Sequence, residues 1–243
     1  MDFSSLFHRD DSFAFLNAGT LSRTPKAVLE YMAERRRRAE WNPTFSVFDS
    51  PRLLWEVQEK LAPSLGAQAK DFFFRSNITA ALNDFFFALE LPAGGEILAT
   101  GMEYGATVNI AKVYAAQKNL IFRQAPVPLK AEVTRAELVA AVTSAFTPAT
   151  KVLLVSHILT GNGTIMPLAE IAEAASVRGI LVVVDGAHAP GAMPLAIEAL
   201  GVDFYGGNFH KWFMGPAGTA FGWVNPRVQP QLRWKFGGWA SFE

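Results

Sequence analysis

Short uncharged or nearly uncharged apolar runs recur along the chain with segments of helical periodicity between them, and this alternation constrains the fold more than any other feature. The runs are DFFFRS (71–76), EILAT (96–100), LIFRQA (120–125), KVLLVSH (151–157), ILVVVD (180–185), VDFYGG (202–207) and TAFGWV (219–224). Each reads as a strand buried on both faces. ITAALNDFFFALEL, GATVNIAKVYAAQ, TRAELVAAVTSA and PLAEIAEAASVRG read as helices between them. Strand and helix in alternation predict a mostly parallel, seven-stranded sheet covered by helices, the α/β class. With 243 residues, half of them hydrophobic, the chain is long enough to fill such a core. No internal repeat or low-complexity linker interrupts it.

In an open parallel sheet, ligands bind beyond the carboxyl ends of the strands. Five of the seven run ends carry polar groups. Ser76, Asn77 and Thr79 follow the first run at the start of a helix, a pattern that serves as a helix cap or as an anion site. Glu103 and Tyr104 follow EILAT, and a loop tyrosine of this kind is ordinarily structural. His157 and Thr160 follow KVLLVS in a glycine-bearing loop that suits a turn or a ligand contact. Asp185 ends an otherwise uncharged run, with His188 three residues on, and a carboxylate there is costly unless partnered. Asn208, His210 and Lys211 follow VDFYGG.

An anion site, an aromatic face, a buried carboxylate and a lysine match the needs of pyridoxal 5'-phosphate. These are a phosphate cradle, a ring to stack, a partner for the pyridinium nitrogen and an amine for a Schiff base. Other ligands find less support. No G-x-G-x-x-G follows the first strand and no P-loop pattern occurs. The four histidines are scattered without an H-E-x-x-H, so no metal site is expected. Lys plus Arg number 22 and Asp plus Glu 22, which leaves no field to draw nucleic acid or an anionic membrane. The absence of cysteine rules out disulfides and thiolate ligands within these residues. The acidic start MDFSSLFHRDD lacks the pattern of a secretion signal, and the chain reads as cytoplasmic.

RSNITAALN, EYGA, SHILTGNGTIMPL, VDGAHAPG and GNFHKWFMGPAG, in this order, resemble the class V aminotransferase family of fold-type I pyridoxal phosphate enzymes, and most of all its isopenicillin N epimerase-like branch. The aspartate and lysine blocks are the most specific parts. The resemblance implies an aspartate-aminotransferase-like large domain of three layers, α/β/α. It implies that Lys211 holds the cofactor as a Schiff base and moves the substrate Cα proton, and that Asp185 pairs with the pyridinium nitrogen. Tyr104 is expected to stack on the ring and His188 to lie near the phenolic oxygen, with Thr160 a further contact there. Asn77, Ile78 and Thr79 are expected to hold the phosphate, aided by Asn208 and His210. Gly237, Gly238 and Trp239 resemble a segment that reaches the neighbouring subunit's phosphate, which implies a homodimer.

Residues 1–60 are assigned to an N-terminal helical segment with a substrate-side loop, and residues 61–243 to the cofactor-binding large domain. The small C-terminal domain of the family is not expected within this chain. Asn17, Ala18 and Gly19 match the substrate-side loop, although such a turn before a helix is common. Arg35–Arg38 spread around a helix and read as a solvated or subunit surface. Most tryptophans and phenylalanines read as core or dimer contacts. Three functional readings follow: an epimerase or aminotransferase acting on an amino acid or similar amine, a cysteine desulfurase or carbon-sulfur lyase, or a non-catalytic binding protein. Tyr104, where desulfurases use histidine, and the missing cysteine weigh against the second.

Overall fold

The computed structural model describes residues 3–128, 130 and 132–233. Two helices come first, α1 (Lys26–Trp41) and α2 (Pro43–Leu65), followed by β1 (Phe72–Arg75), α3 (Ile78–Ala88), β2 (Glu96–Thr100), α4 (Gly105–Lys118), β3 (Ile121–Ala125), α5 (Arg135–Thr143), β4 (Thr150–Ser156), α6 (Leu168–Ser176), β5 (Leu181–Asp185), β6 (Phe204–Asn208) and β7 (Ala220–Val224). The seven strands form one sheet in the order β1-β7-β6-β5-β4-β2-β3. Only β7 runs against its neighbours β1 and β6. The other pairings, from β6 across to β3, are parallel.

Continuous apolar runs are needed because side chains leave a strand to alternate faces and both faces are covered. In β4, Val152 and Leu154 pack into one core with Ile97, Ala99 and Val183, beneath α3 and α4. Leu153 and Val155 pack into the opposite core with Leu98, Val182 and Val184, beneath α2, α5 and α6. The molecule is therefore the three-layer α/β/α structure expected. The edges differ from the expectation of strands buried on both faces. Phe72 of β1 and Ala125 of β3 are buried, but the central positions of both strands are half-buried and Arg75, Ile121 and Gln124 are exposed, because an edge strand has cover on fewer sides.

Local chemistry sets the helix ends. Thr134 and Glu137 form a reciprocal capping box at the start of α5. Asn42 caps α2 by accepting from Phe45 N–H, with Pro43 in the first turn, where its missing N–H costs nothing. Gly66, in the left-handed region, ends α2, so the boundary drawn at 60/61 falls inside this helix. Arg35–Arg38 lie on α1, which buries none of its residues, and Arg37 and Arg38 pair with Glu34. Among the described residues no helix is long and apolar enough to cross a membrane.

The position that matters most to the site is Gly206 in β6. A Cβ there would lie 2.7 Å from Ile78 Cγ1. The missing side chain lets the start of α3 settle directly onto the sheet, and Asn208 Oδ1 accepts a 2.9 Å hydrogen bond from Ile78 N–H to hold it there.

Candidate active site

A cavity of about 780 Å³ opens at the carboxyl ends of the parallel strands, within the usual size for a small-molecule site. Ile78, Thr79, Tyr104, Thr160, Asp185, His188, Asn208, His210 and Lys211 all line it. Asn77 lies beside it, exposed, with its side chain capping α3 through Ala80 N–H. Gly237, Gly238 and Trp239 lie outside the described residues.

At the end of β5, Asp185 is 3% exposed. Its cost of burial is offset by two donors: Ala187 N–H at 3.0 Å to Oδ1 and the Thr107 hydroxyl at 2.6 Å to Oδ2. Thr107 sits on the first turn of α4, so packing of that helix aims the carboxylate. Lys211 is half-buried, and desolvation lowers its pKa below the ordinary 10.5, against an opposing pull from the Asp185 charge. Lys211 is followed by a sharp turn in which Met214 N–H donates to Lys211 C=O at 2.9 Å. Met214 closes that turn at φ 60, a left-handed conformation that costs a non-glycine residue about 1–2 kcal/mol and is characteristic of functional segments.

The start of α3 supplies the anion cradle. Asn208 takes Ile78 N–H and Asn77 takes Ala80 N–H, and Thr79 between them lines the cavity at the positive end of the helix dipole. Nearby, His210 Nδ1 donates to Thr219 C=O at 3.1 Å, which leaves Nε2 for the cavity side. Burial lowers the His210 pKa, with the Lys211 charge adding to the effect. Tyr104 is 54% exposed at the rim, with its ring open to a ligand.

Thr107 is a contributor that the sequence does not mark. Glu103, noted after EILAT without an assigned role, is half-buried and accepts from the Thr100 hydroxyl and from both the N–H and the hydroxyl of Ser156. Desolvation, helped by the charge of Asp185, pushes its pKa up to about 7. Between the ordinary 4.5 and 7 the unfolded chain has released this proton while the folded chain keeps it, so stability falls as pH rises through that window. The loss is about 2–3 kcal/mol. Glu103→Gln keeps the hydrogen bonds but does not titrate. Urea unfolding at pH 5 and pH 8 is expected to show the native chain losing that amount relative to the variant; identical pH dependence would remove the assignment.

His157 turns away from the cavity. It is 4% exposed and shares a 2.8 Å hydrogen bond with the Tyr205 hydroxyl, and burial lowers its pKa to about 4. It is a core residue, which settles the choice left open by its loop. The N-terminal loop, by contrast, does reach the cavity: Leu16, Asn17, Gly19 and Thr20 line it, and Ser22 N–H donates to His210 C=O at 2.8 Å. Trp212 also lines it. Among the described residues no cluster of three or more His, Cys, Asp or Glu side chains is arranged to hold a metal ion.

A neutral-leaning amine, a fixed carboxylate, an open aromatic ring and a helix N-terminus around one cavity are complementary to an aldehyde-bearing phosphorylated heterocycle. Comparison with known proteins agrees. Residues 14–242 match the family model described as aminotransferase class-V. Isopenicillin N epimerases of Amycolatopsis lactamdurans and Streptomyces clavuligerus are each 34% identical, over 93% of this chain and 59% and 58% of their own lengths. A solved structure of the C-DES protein, a lysine-to-alanine mutant with glycine covalently linked to its PLP cofactor, superimposes with a TM-score of 0.84 at 26% identity, covering 93% of this chain and 60% of that one. The chain thus spans about three fifths of the length of these relatives.

Proposed function

Since the chain belongs to the class V aminotransferase family, we propose that it binds pyridoxal 5'-phosphate in this cavity and acts on an amino acid or an amino-acid-like amine, with epimerisation or transamination as the reaction. The observation that carries this reading is the convergence of Lys211, Asp185 and the start of α3 on one cavity. When bound, pyridoxal phosphate supplies an aldehyde and a conjugated ring that takes up the electrons left when the Cα proton departs.

The chain's own residues do the rest. Lys211 Nζ is the attachment point and the group that accepts and returns the Cα proton, and its lowered pKa favours the neutral amine needed for both. Asp185, held by Ala187 and Thr107, keeps a proton on the ring nitrogen. Tyr104 offers its face to the ring, while Thr79, His210 and the start of α3 bind the phosphate. His188 and Thr160 serve the phenolic side. Residues 61–243 form the cofactor-binding domain in this reading, and residues 1–60 the substrate-side segment.

The likeness to epimerases supports proton return to Cα over loss of sulfur. A screen of amino acids with the cofactor-loaded chain separates the reactions: racemised or transaminated product is expected. Sulfide released from cysteine as the main product would favour the lyase. A homodimer is part of the reading, supported by the exposed apolar residues Trp41, Phe45, Phe48 and Trp55 on α1 and α2. A monomer mass by sedimentation would remove it. A cytoplasmic location fits the chemistry and stays part of the proposal.

A further inference from the structure

His188 stands between two nitrogen groups. Its Nδ1 lies 3.1 Å from Trp212 Nε1, and its Nε2 lies 3.2 Å from Lys211 Nζ. An indole N–H can only donate, so Nδ1 must be the acceptor. A neutral imidazole accepting at Nδ1 carries its proton on Nε2. That proton then points at Lys211 Nζ, which can accept it only as the neutral amine. An ammonium would set donor against donor, and an imidazolium would do the same against Trp212. Turning the ring over would place carbon against the indole N–H.

We propose that Trp212 is a positioning residue that locks His188 in the Nε2–H tautomer, so that His188 donates to Lys211 and holds it as a free amine before the cofactor arrives. Once the amine is engaged, the same N–H is available to the phenolic side of the site.

Two further contacts fix the relay. A Cβ on Gly19 would lie 3.4 Å from Trp212 Cζ2 and 3.5 Å from His188 Cε1, so the substrate-side loop passes over the pair with room for about one methyl group between them. Gly191, at φ +82, passes so close that a Cβ would lie 2.5 Å from the Trp212 carbonyl, which holds that backbone against the His188 loop. The titratable groups facing Lys211 around the cavity are Asp185 at the end of β5, His188, His210 and, at the rim, Tyr104. Of these, the Asp185 charge favours the ammonium, in opposition to the relay. Desolvation by burial lowers the His188 pKa, in keeping with a neutral ring.

The use of this relay rests on the proposed function, but its test does not. Ring-15N-histidine NMR of the chain without cofactor or substrate is expected to show His188 as the Nε2–H tautomer. Trp212→Phe, at a position 37% exposed, keeps the apolar contact and removes the donor. In that variant His188 is expected to become a tautomer mixture, and the Lys211 titration midpoint, followed by reductive 13C-methylation, to rise by about one pH unit as Nε2 becomes free to accept from the ammonium. His188→Gln serves as the second variant, in which replacing Trp212 should no longer move the Lys211 midpoint. A Nδ1–H tautomer in the native chain, or a Trp212→Phe variant with tautomer and Lys211 midpoint unchanged, overturns the proposal. Neither readout depends on turnover.

Discussion

Lys211→Ala is expected to lose all covalent attachment of pyridoxal phosphate and to lower turnover by at least about 10³-fold. The amine is the only described lysine lining the cavity, so nothing in the site replaces it. The fold is expected to survive. Lys211 is half-buried at a strand end and contributes a desolvated amine, so its removal changes stability by no more than about 1 kcal/mol. Equal denaturant midpoints together with loss of the bound-cofactor absorption band would separate chemistry from folding. A variant that still attaches cofactor would show that another lysine does the work.

Asp185→Asn is expected to keep the cofactor and lose about 10²–10³-fold in turnover, the usual size for removing one buried electrostatic group from a reacting centre. The substitution is mild for the fold. The amide oxygen can still accept from Ala187 N–H, and the amide N–H can donate to Thr107 once that hydroxyl rotates. What disappears is the negative charge to which we assign the task of keeping the ring nitrogen protonated. Rates within a few-fold of the native chain, with cofactor fully bound, would remove Asp185 from the mechanism.

The layered sheet is legible in the sequence because a strand buried on both faces must be apolar through its middle, and β2, β4, β5, β6 and β7 obey that rule, keeping their charged and polar residues near the ends. The edges β1 and β3 obey it less, since Arg75 reaches Asp84 on α3 and Arg123 pairs with Glu96 on the adjoining strand β2. The direction of β7 has no signature in its residues. It follows from its pairing with β1 and β6. Lys211 and Asp185 stand out because a charged residue at the end of an apolar run is conspicuous locally. Thr107 and Trp212 do not, because their roles exist only in pairs that the fold creates. Thr107 meets Asp185 from 78 positions away, and Trp212 meets His188 from 24. Glu103 likewise acquires its raised pKa from burial and the Asp185 charge, which outweigh the hydrogen bonds from Ser156 and Thr100. Sequence locates the residues that carry charge or an amine, and packing selects those that orient them.

Whether Lys211 carries the cofactor is tested most directly by incubating the native chain with pyridoxal phosphate, reducing it with borohydride and mapping the labelled peptide by mass spectrometry. Label on Lys211 is the result expected. Label on a different lysine, or a chain that takes up none, would contradict the assignment of this cavity as the cofactor site.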